Sequence, residues 1–180
     1  MKPLTEFPTT IKTARLTLSI LPASTETAQE ILNIVESCRE YLEKYQTQFR
    51  CLYTTEDVLN KLKKRQQQFL DKTGFLFGIY KDNKIIGRIR FFHIDNTRCE
   101  IGYWLAQSAT GFGYISEALH ALEQELFDFG FTEITLIIDA SNTASQKVAE
   151  RNDYVLKQTK PSETDYAQNE LFYTKTIDTV

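Results

Sequence analysis

The segment GYWLAQSATGFGYISEAL, residues 102–119, joins two kinds of local structure through a loop with two glycines. Its first four residues are typical of a strand end, and from Tyr114 onward apolar residues recur at helical spacing. Between them lie Gly111 and Gly113, where the missing side chain lets the backbone come close to a ligand. Because a helix N-terminus exposes unpaired N–H groups and a partial positive charge, the segment predicts an anion site, most simply for phosphate.

The spacing of the two glycines excludes two common phosphate loops. No Gly-Lys-Ser or Gly-Lys-Thr follows, as a Walker loop requires, and the third glycine of the dinucleotide-binding fingerprint is missing. Gly113 could also serve only to ease a tight turn. From spacing alone, both interpretations stay open.

Outward from this segment, the pattern predicts a mixed α/β sheet. Strands are predicted at residues 13–21, 75–80, 85–94, 99–106, 132–140, 154–157 and 171–177. Helices are predicted at residues 26–40, 55–70, 114–129 and 141–152. Short turns imply antiparallel hairpins in the middle of the chain, whereas the helix between the fourth and fifth strands implies one parallel crossover.

Two further patterns predict which faces of these strands and helices are buried and which are exposed to solvent. The apolar, β-branched run at 132–140 is typical of a strand covered on both faces. The helix at 55–70 has an apolar stripe and, opposite it, a basic face that includes Lys61 and Arg65, which we interpret as solvated. The expected fold class is a mostly antiparallel sheet with one central parallel pair and helices on both faces.

Composition limits the class of protein. With 180 residues, 42% hydrophobic and 25% charged, the chain is expected to form one domain over residues 1–180. No apolar run approaches the length of a membrane span, and the first residues do not resemble a secretory signal. The net charge of -3 argues against a general nucleic-acid binder.

The cysteines and histidines argue against a disulfide framework and a metal site. Cys38, Cys51 and Cys99 have no C-x-x-C spacing, which favours reduced thiols in a cytoplasmic protein. His93 and His120 are too few for a histidine-rich metal centre, so no metal is expected. A catalytic cysteine–histidine pair stays open, although a buried free cysteine is the commoner arrangement.

Three blocks of sequence, in this order, resemble the GNAT N-acetyltransferases. They are CEIGYWL at 99–105, TGFGYISEAL at 110–119 and NTASQKVAERNDY at 142–154. Together with the opening TARLTL at 13–18, they are similar to the ribosomal-protein N-terminal acetyltransferases of the RimJ/RimL type. The resemblance spans nearly the whole chain and implies a GNAT-like acyl-CoA N-acyltransferase fold.

The resemblance also implies acetyl-CoA as co-substrate. The strand that ends at Leu105 and Ala106 would splay from its parallel neighbour and pair with the pantetheine arm, and the glycine loop would hold the pyrophosphate. Ser145 would lie near the sulfur. The expected cofactor-binding residues are Trp104, Leu105, Ala106, Thr110, Gly111, Phe112, Gly113, Tyr114, Ile115, Asn142 and Ser145.

Three positions depart from the family's pattern. Thr110 stands where a longer polar residue is usual, Ile115 where a small one is usual, and Asp153 where glycine precedes the aromatic residue. An isoleucine beside the phosphates would weaken CoA binding, unless it points into the core with Ala118 and Leu119. The helical spacing favours the core orientation.

Acetyl transfer to an amine requires a neutral amine, a hydrogen-bond donor for the oxyanion and a proton for the departing thiolate. A free α-amine titrates near pH 8, so it needs only a modest base. Glu100, on the central strand, is one candidate base, with a solvated carboxylate as the alternative interpretation; the resemblance adds Glu163. Ser145 is the candidate acid, and a backbone N–H near Leu105 or Ala106 the oxyanion donor.

Three functions follow from the resemblance and stay open. The first is acetylation of a protein N-terminal α-amine, of the ribosomal-protein type, by direct attack in a ternary complex. The second is acetylation of a small amine such as a polyamine, an aminoglycoside or an amino acid. The third is a relative that binds acyl-CoA without catalysis. The oligomeric state is also open, with a homodimer as one option.

Overall fold

The computed structural model of the chain describes residues 1–162 and 169–177. The strands are β1 (Thr10–Lys12), β2 (Thr17–Ile20), β3 (Gly74–Lys81), β4 (Lys84–Asp95), β5 (Arg98–Leu105), β6 (Glu133–Asp139), β7 (Val155–Pro161) and β8 (Asn169–Thr176). The helices are α1 (Thr25–Ser37), α2 (Arg39–Glu43), α3 (Thr55–Leu70), α4 (Tyr114–Phe129) and α5 (Thr143–Arg151). None of the helices in these ranges is long and apolar enough to cross a membrane.

The strands form one mixed sheet in the order β1-β2-β3-β4-β5-β6-β8-β7. Every neighbouring pair is antiparallel except β5 and β6, which are parallel and connected through α4. This arrangement confirms the predicted fold class and the single crossover.

The parallel pair separates soon after it begins. β5 and β6 pair only at Arg98↔Glu133, Cys99↔Ile134 and Glu100↔Thr135. On its other edge, β5 stays paired with β4 as far as Leu105. The far half of β5 therefore borders a gap in the sheet, which we call the splay.

Hydrophobic clusters cover both faces of the sheet. The larger lies under α4 and α5 and includes Phe75 and Phe91, whose rings stack with centroids 4.6 Å apart. The smaller lies under α1, α2 and α3 and includes Trp104, which meets Phe49 edge to face. Tyr154 and Tyr173 are also buried in the larger cluster.

Two predictions about local structure were wrong. The first helix does not run to residue 40. It ends at Ser37, because Cys38 leaves the helical conformation, and α2 begins at Arg39. β6 is not covered on both faces: Ile134, Leu136 and Ile138 are buried, but Ile137 on the other face is 39% exposed. The reason is the splay, which leaves that face of β6 open beside a cleft.

Local signals set the ends of the helices that flank the splay. Thr54 and Asp57 form a reciprocal capping box at the start of α3, which has the predicted bounds. α4 has the predicted bounds because it begins and ends at glycines in the left-handed region, Gly113 with φ 77° and Gly130 with φ 98°.

Gly87 on β4 allows the close approach of β4 and β5, and we expect Gly87→Ala to destabilise the fold. An added Cβ would lie 2.3 Å from the Trp104 carbonyl oxygen and 2.7 Å from Leu105 Cδ2. Overpacking of this kind costs about 1–3 kcal/mol in the free energy of unfolding, so the thermal midpoint should fall by several degrees. Gly102→Ala on β5 is the control, since its nearest neighbour would be 3.5 Å away. Equal midpoints for both variants would contradict the expectation.

Candidate active site

Two clefts meet at the splay. The larger, which we call the sheet cleft, has a volume of about 480 Å³ and lies over β4, β5 and β6 beside α3. The smaller, which we call the loop cleft, has a volume of about 370 Å³ and lies between the start of α4 and α5. The residues that line both clefts are Tyr45, Gln46, Tyr103, Trp104, Asn142 and Ser145.

The glycine loop forms one wall of the loop cleft. Gly113 is the N-cap residue of α4, and its carbonyl oxygen accepts the first helical hydrogen bond, from the Glu117 N–H. Within residues 1–162 and 169–177, no acceptor contacts the N–H groups of residues 111–116. An added Cβ at Gly111 would meet no atom within 4 Å. The loop therefore presents open backbone donors to the cleft, as an anion site requires.

Arg15 contacts both the glycine loop and the first turn of α4. Its Nε contacts Glu117 Oε2 at 2.6 Å, its Nη1 donates to the Phe112 carbonyl oxygen, and its guanidinium lies over the Tyr114 ring. Burial alone would raise the pKa of Glu117, but hydrogen bonds from Thr13 and Arg15 outweigh it and lower that pKa. The carboxylate at the helix start is thus paired, which reduces its repulsion of a bound anion.

The structure distributes the expected cofactor-binding residues unevenly. Those that line the loop cleft are Trp104, Leu105, Thr110, Gly111, Gly113, Tyr114, Ile115, Asn142 and Ser145. Phe112 points outward, 59% exposed, with its ring stacked on Tyr114. Ala106 is buried next to the cleft lining, and its N–H donates to the Ile86 carbonyl oxygen on β4.

Ile115, which departs from the family's pattern, lies next to Ser116 in the first turn of α4. Ile115 is partly buried and packs against the larger core cluster, while part of it lines the loop cleft. Ser116 also lines the cleft, and its buried Oγ has no hydrogen-bond partner among the described residues. The core orientation of Ile115 thus leaves the donors of the loop open.

The start of α5 places Ser145 where the two clefts meet. Asn142 is the N-cap residue, and its Oδ1 accepts from the Ser145 N–H at 3.1 Å. This cap uses the Asn142 oxygen and leaves its amide N–H groups as donors for a ligand. Asp153, two residues beyond the end of α5, has φ 65°, in the left-handed region that glycine adopts most easily, which explains why glycine is usual at this position.

The backbone of β5 supplies further donors and acceptors. The Ala106 N–H bonds across to β4, so by alternation the N–H and C=O groups of Tyr103 and Leu105 face the splay. The Tyr103 carbonyl oxygen accepts from Gln46 Nε2 at 2.7 Å, in agreement with this geometry. Of the two expected oxyanion donors, Leu105 therefore has the N–H that faces the splay.

Tyr103 brings a buried hydroxyl to the same point. Its oxygen is shielded from solvent and has no hydrogen-bond partner by geometry among the described residues, although its ring is partly exposed. Burial raises the pKa of Tyr103 to about 12, with the Ser145 hydroxyl acting in the opposite direction and Tyr41 adding to the rise. The phenol is therefore a neutral hydrogen-bond donor at physiological pH.

This pKa predicts a loss of stability at high pH. An unfolded tyrosine titrates at about pH 10, so between pH 10 and 12 the unfolded state loses a proton that the folded Tyr103 retains. Below pH 10, Tyr103 should not change the pH dependence of the free energy of unfolding. Between pH 10 and 12, it should make that free energy fall by up to about 1.4 kcal/mol per pH unit. Urea unfolding at several pH values should show a shallower fall for Tyr103→Phe and an unchanged one for Tyr53→Phe, whose ring is exposed. Equal slopes would contradict the assignment.

Glu100 lies at the beginning of the splay and lines the sheet cleft. Its Oε1 is 3.0 Å from His93 Nδ1. His93 has φ 49° at an irregular step of β4, which turns its ring toward Glu100. The contact between His93 and Glu100 was not predicted, because no spacing pattern in the sequence marks a bulge. Glu163, the other candidate base, lies outside the described residues.

Other residues of the clefts were also missed. Arg65, interpreted as part of a solvated helix face, is partly buried and lines the sheet cleft with Arg88 and Arg90. Lys147 and Arg151 extend from α5 into the lining of the loop cleft. Their periodicity along α5 could have indicated one shared face. Among the described residues, no group of three or more His, Cys, Asp or Glu side chains is arranged to hold a metal ion.

Residues 15–155 match the sequence model of the acetyltransferase (GNAT) domain. The chain belongs to the GNAT acetyltransferase family. The match contains the splayed strands, the glycine loop and the start of α5, and it includes every residue that lines the two clefts except Glu170.

This GNAT protein is similar in sequence to two curated bacterial acetyltransferases. It is 38% identical to the ribosomal-protein-serine acetyltransferase of Escherichia coli (strain K12) over 85 residues, 46% of this chain and 48% of that protein. It is 29% identical to the putative ribosomal N-acetyltransferase YdaF of Bacillus subtilis (strain 168) over 89 residues, 48% of this chain and 49% of that protein. The matched segments thus span about half the length of these relatives.

Solved structures share the whole GNAT fold. RimL, a ribosomal L7/L12 α-N-protein acetyltransferase in complex with coenzyme A, matches with TM-score 0.86 and 21% identity over 96% of this chain and 98% of that one. The self-immunity acetyltransferase MccE, in complex with acetyl-CoA and AMP, matches with TM-score 0.86 and 20% identity over 92% and 94%. Mycobacterium smegmatis RimJ with CoA-disulfide matches with TM-score 0.86 and 19% identity over 98% and 90%. At these identities, the likeness establishes the fold.

Proposed function

We propose that this GNAT protein transfers the acetyl group of acetyl-CoA to a primary amine, the α-amine of a protein N-terminus, by direct attack in a ternary complex. The observation that carries the proposal is the meeting of the two clefts at the splay, where each leads to Ser145 and the free edge of β5. One cleft can then hold the acetyl donor and the other the acceptor, with no need for an acetylated enzyme.

The loop cleft has the donor groups that acetyl-CoA requires. The open N–H groups of residues 111–116 suit the pyrophosphate, and the buried Ser116 hydroxyl adds a donor. Lys147 and Arg151 add positive charge on the opposite wall. The Tyr103 N–H and the Leu105 carbonyl oxygen, which face the splay, can pair with the amides of an extended pantetheine arm. RimL, RimJ and MccE, which share the fold, are described as complexes with CoA or acetyl-CoA.

Acetyl-CoA would supply a thioester, and the residues at the splay would then divide the proton and charge transfers. The Leu105 N–H would donate to the carbonyl oxygen as negative charge develops on it. As the C–N bond forms and the C–S bond breaks, the Ser145 hydroxyl would donate a proton to the departing sulfur and recover one from solvent in the cleft. A carboxylate would take the proton that the amine loses.

Glu100 is the base that the described residues support. It lies at the beginning of the splay in the sheet cleft, and His93 at 3.0 Å can pass a proton on to solvent. Glu163 stays the alternative. A pH–rate profile separates them: if Glu100 is the base, Glu100→Gln loses the acidic limb of kcat/KM and Glu163→Gln keeps it. The reverse pattern would assign Glu163.

The relatives support a protein N-terminus as the acceptor. The E. coli and B. subtilis relatives are named for ribosomal proteins, and the sheet cleft, at about 480 Å³, has room for the first residues of a peptide. An α-amine is the easier nucleophile, because more of it is neutral near pH 7 than of a lysine amine. A single catalytic domain over residues 1–180 and a cytoplasmic location are parts of the same proposal.

An acceptor screen that follows CoA release tests the proposal. The panel should contain peptides with free and blocked N-termini, polyamines, aminoglycosides and amino acids. Release with free N-terminal peptides, and not with blocked ones, would support the α-amine. Release only with small amines would support the second function. Tight acetyl-CoA binding in calorimetry without release in any mixture would identify a protein that binds the thioester without catalysis.

A further inference from the structure

Three arginines line one end of the sheet cleft. Arg65 reaches it from α3, and Arg88 and Arg90 reach it from alternate positions of β4 on the face that carries Trp104. Burial lowers the pKa of Arg88 to about 9 and that of Arg90 to about 10. Arg65 lowers both further through repulsion between like charges, which places the three guanidinium groups near one another. All three are cations at neutral pH.

Neither Arg65 nor Arg90 contacts a carboxylate among the described residues, although Glu100 attracts Arg90 from a longer distance and acts to raise its pKa. Arg65 Nη1 donates to the neutral amide oxygen of Gln68 at 2.7 Å. The Arg90 guanidinium lies 3.7 Å from the centroid of the Phe92 ring, opposite Gly102 on β5, where no side chain fills the space. Within residues 1–162 and 169–177, neither forms a salt bridge.

The carboxylates that line the same cleft have other partners. Glu100 contacts His93 at 3.0 Å, and Asp139 accepts from the backbone N–H and hydroxyl of Ser141. Glu170 contacts the Ser162 hydroxyl at 3.3 Å. Among the described residues, positive charge therefore collects on the α3 and β4 side of the cleft, and negative charge on the β5, β6 and β8 side.

A cluster of partly buried cations is costly unless an anion joins it. Guanidinium groups bind carboxylates through paired, charge-assisted hydrogen bonds, which are stronger than those between neutral groups. Meanwhile, the negative side of the cleft suits the cationic form of an arriving amine. The cleft thus fits an acceptor with an amine at one end and an anion a short distance away.

We propose that the acceptor is a protein N-terminus with an acidic side chain at its second or third residue, and that Arg65, Arg88 and Arg90 bind that carboxylate. This inference rests on the proposed function and names its substrate class. The reacting amine would lie toward Glu100 and Ser145, and the chain would cross the β5 strand toward α3. Arg65 and Arg90 then determine specificity, while the reaction itself takes place at the splay.

The test compares two free N-terminal peptides that differ only in having Glu or Gln at the second and third positions. For the wild-type chain, we expect kcat/KM to be about tenfold or more higher for the Glu peptide, since a hydrogen bond to a charged group contributes about 1.5–3 kcal/mol. In Arg65→Gln and Arg90→Gln, that preference should fall toward parity, because kcat/KM for the Glu peptide falls by a larger factor than kcat/KM for the Gln peptide. Arg98→Gln is the control, because Arg98 is exposed at the start of β5 and pairs with Glu133.

A second measurement keeps the inference independent of turnover. N-terminally acetylated forms of both peptides cannot react, and their affinity in the presence of CoA can be measured by calorimetry. We expect the acetylated Glu peptide to bind more tightly to the wild-type chain and to lose that advantage in Arg90→Gln. Thermal unfolding establishes that each variant is folded.

The outcomes separate the two proposals. Acetylation of both peptides at equal rates, or a preference that persists in both arginine variants, would overturn the acidic acceptor and leave the proposed function intact. If free serine were acetylated at the same rate as the Glu peptide, the arginines would be assigned to the α-carboxylate of an amino acid. The peptide acceptor would then be overturned. If no peptide is acetylated, the proposed function fails, and the affinities alone decide the inference: equal affinities overturn it.

Discussion

Ser145→Ala is expected to lower kcat about a hundredfold and to leave the dissociation constant of acetyl-CoA nearly unchanged. General acid catalysis contributes at least that factor, and Ser145 is the hydroxyl that lines both clefts beside the splay. The substitution retains the backbone N–H that Asn142 caps, so α5 should begin at the same residue. Steady-state kinetics with saturating acceptor gives kcat, and calorimetry gives the dissociation constant.

Thr143→Ala is the matched control for this result. Thr143 is exposed in the same first turn of α5 and lines neither cleft. Its removal should change neither kcat nor acetyl-CoA affinity by more than about twofold. If Ser145→Ala and Thr143→Ala had the same kcat, Ser145 would have no part in the proton transfer.

Gly113→Val is expected to weaken acetyl-CoA binding by about tenfold or more. Gly113 has φ 77°, where an ordinary side chain costs about 1–2 kcal/mol and a β-branched one more. Space is not the obstacle, since an added Cβ would lie 3.7 Å from Arg15. The loop must therefore change conformation to relieve the strain, and the N–H groups of residues 111–116 would lose their common direction. Calorimetric titration with acetyl-CoA measures the effect.

Gly130→Ala, at the other end of α4, separates binding from stability. Gly130 has φ 98°, and an added Cβ would lie 2.8 Å from Met1 Cα, so this variant is also strained. We expect it to lower the thermal midpoint without changing the affinity for acetyl-CoA. Equal affinity in Gly113→Val and the wild-type chain would remove the loop from the binding site. Equal losses in both glycine variants would attribute the effect to a general loss of stability.

Local signals were sufficient for most of the fold. α4 has the predicted bounds because Gly113 and Gly130 are the residues that tolerate its left-handed ends. The hairpin of β3 and β4 follows from the turn at Asp82 and Asn83, both with positive φ. Where a signal depended on a neighbour far along the chain, the prediction was incomplete: β1 was not predicted, because three residues paired with β2 leave little pattern.

The candidate site was predictable only in part, for a similar reason. Gly111, Gly113 and Asn142 lie in motifs whose backbone geometry is local, so their positions could be inferred from the sequence. Arg65 is partly buried only because α3 packs against the sheet beside the sheet cleft, and helical periodicity alone assigns it to a solvated face. The contact between His93 and Glu100 depends on an irregular step between two strands, which has no sequence signature here.

By itself, the sequence determined most of the strands and helices along the chain, the glycine loop at the start of α4 and the likeness to an acetyltransferase family, because each depends on residues close together in the chain. Only the tertiary structure decided where the strands part, which side chains line the two clefts, and that three arginines from α3 and β4 converge on one of them. Those features arise from contacts between residues far apart in sequence. Such contacts depend on how the sheet twists and the helices pack, and local periodicity carries no record of either.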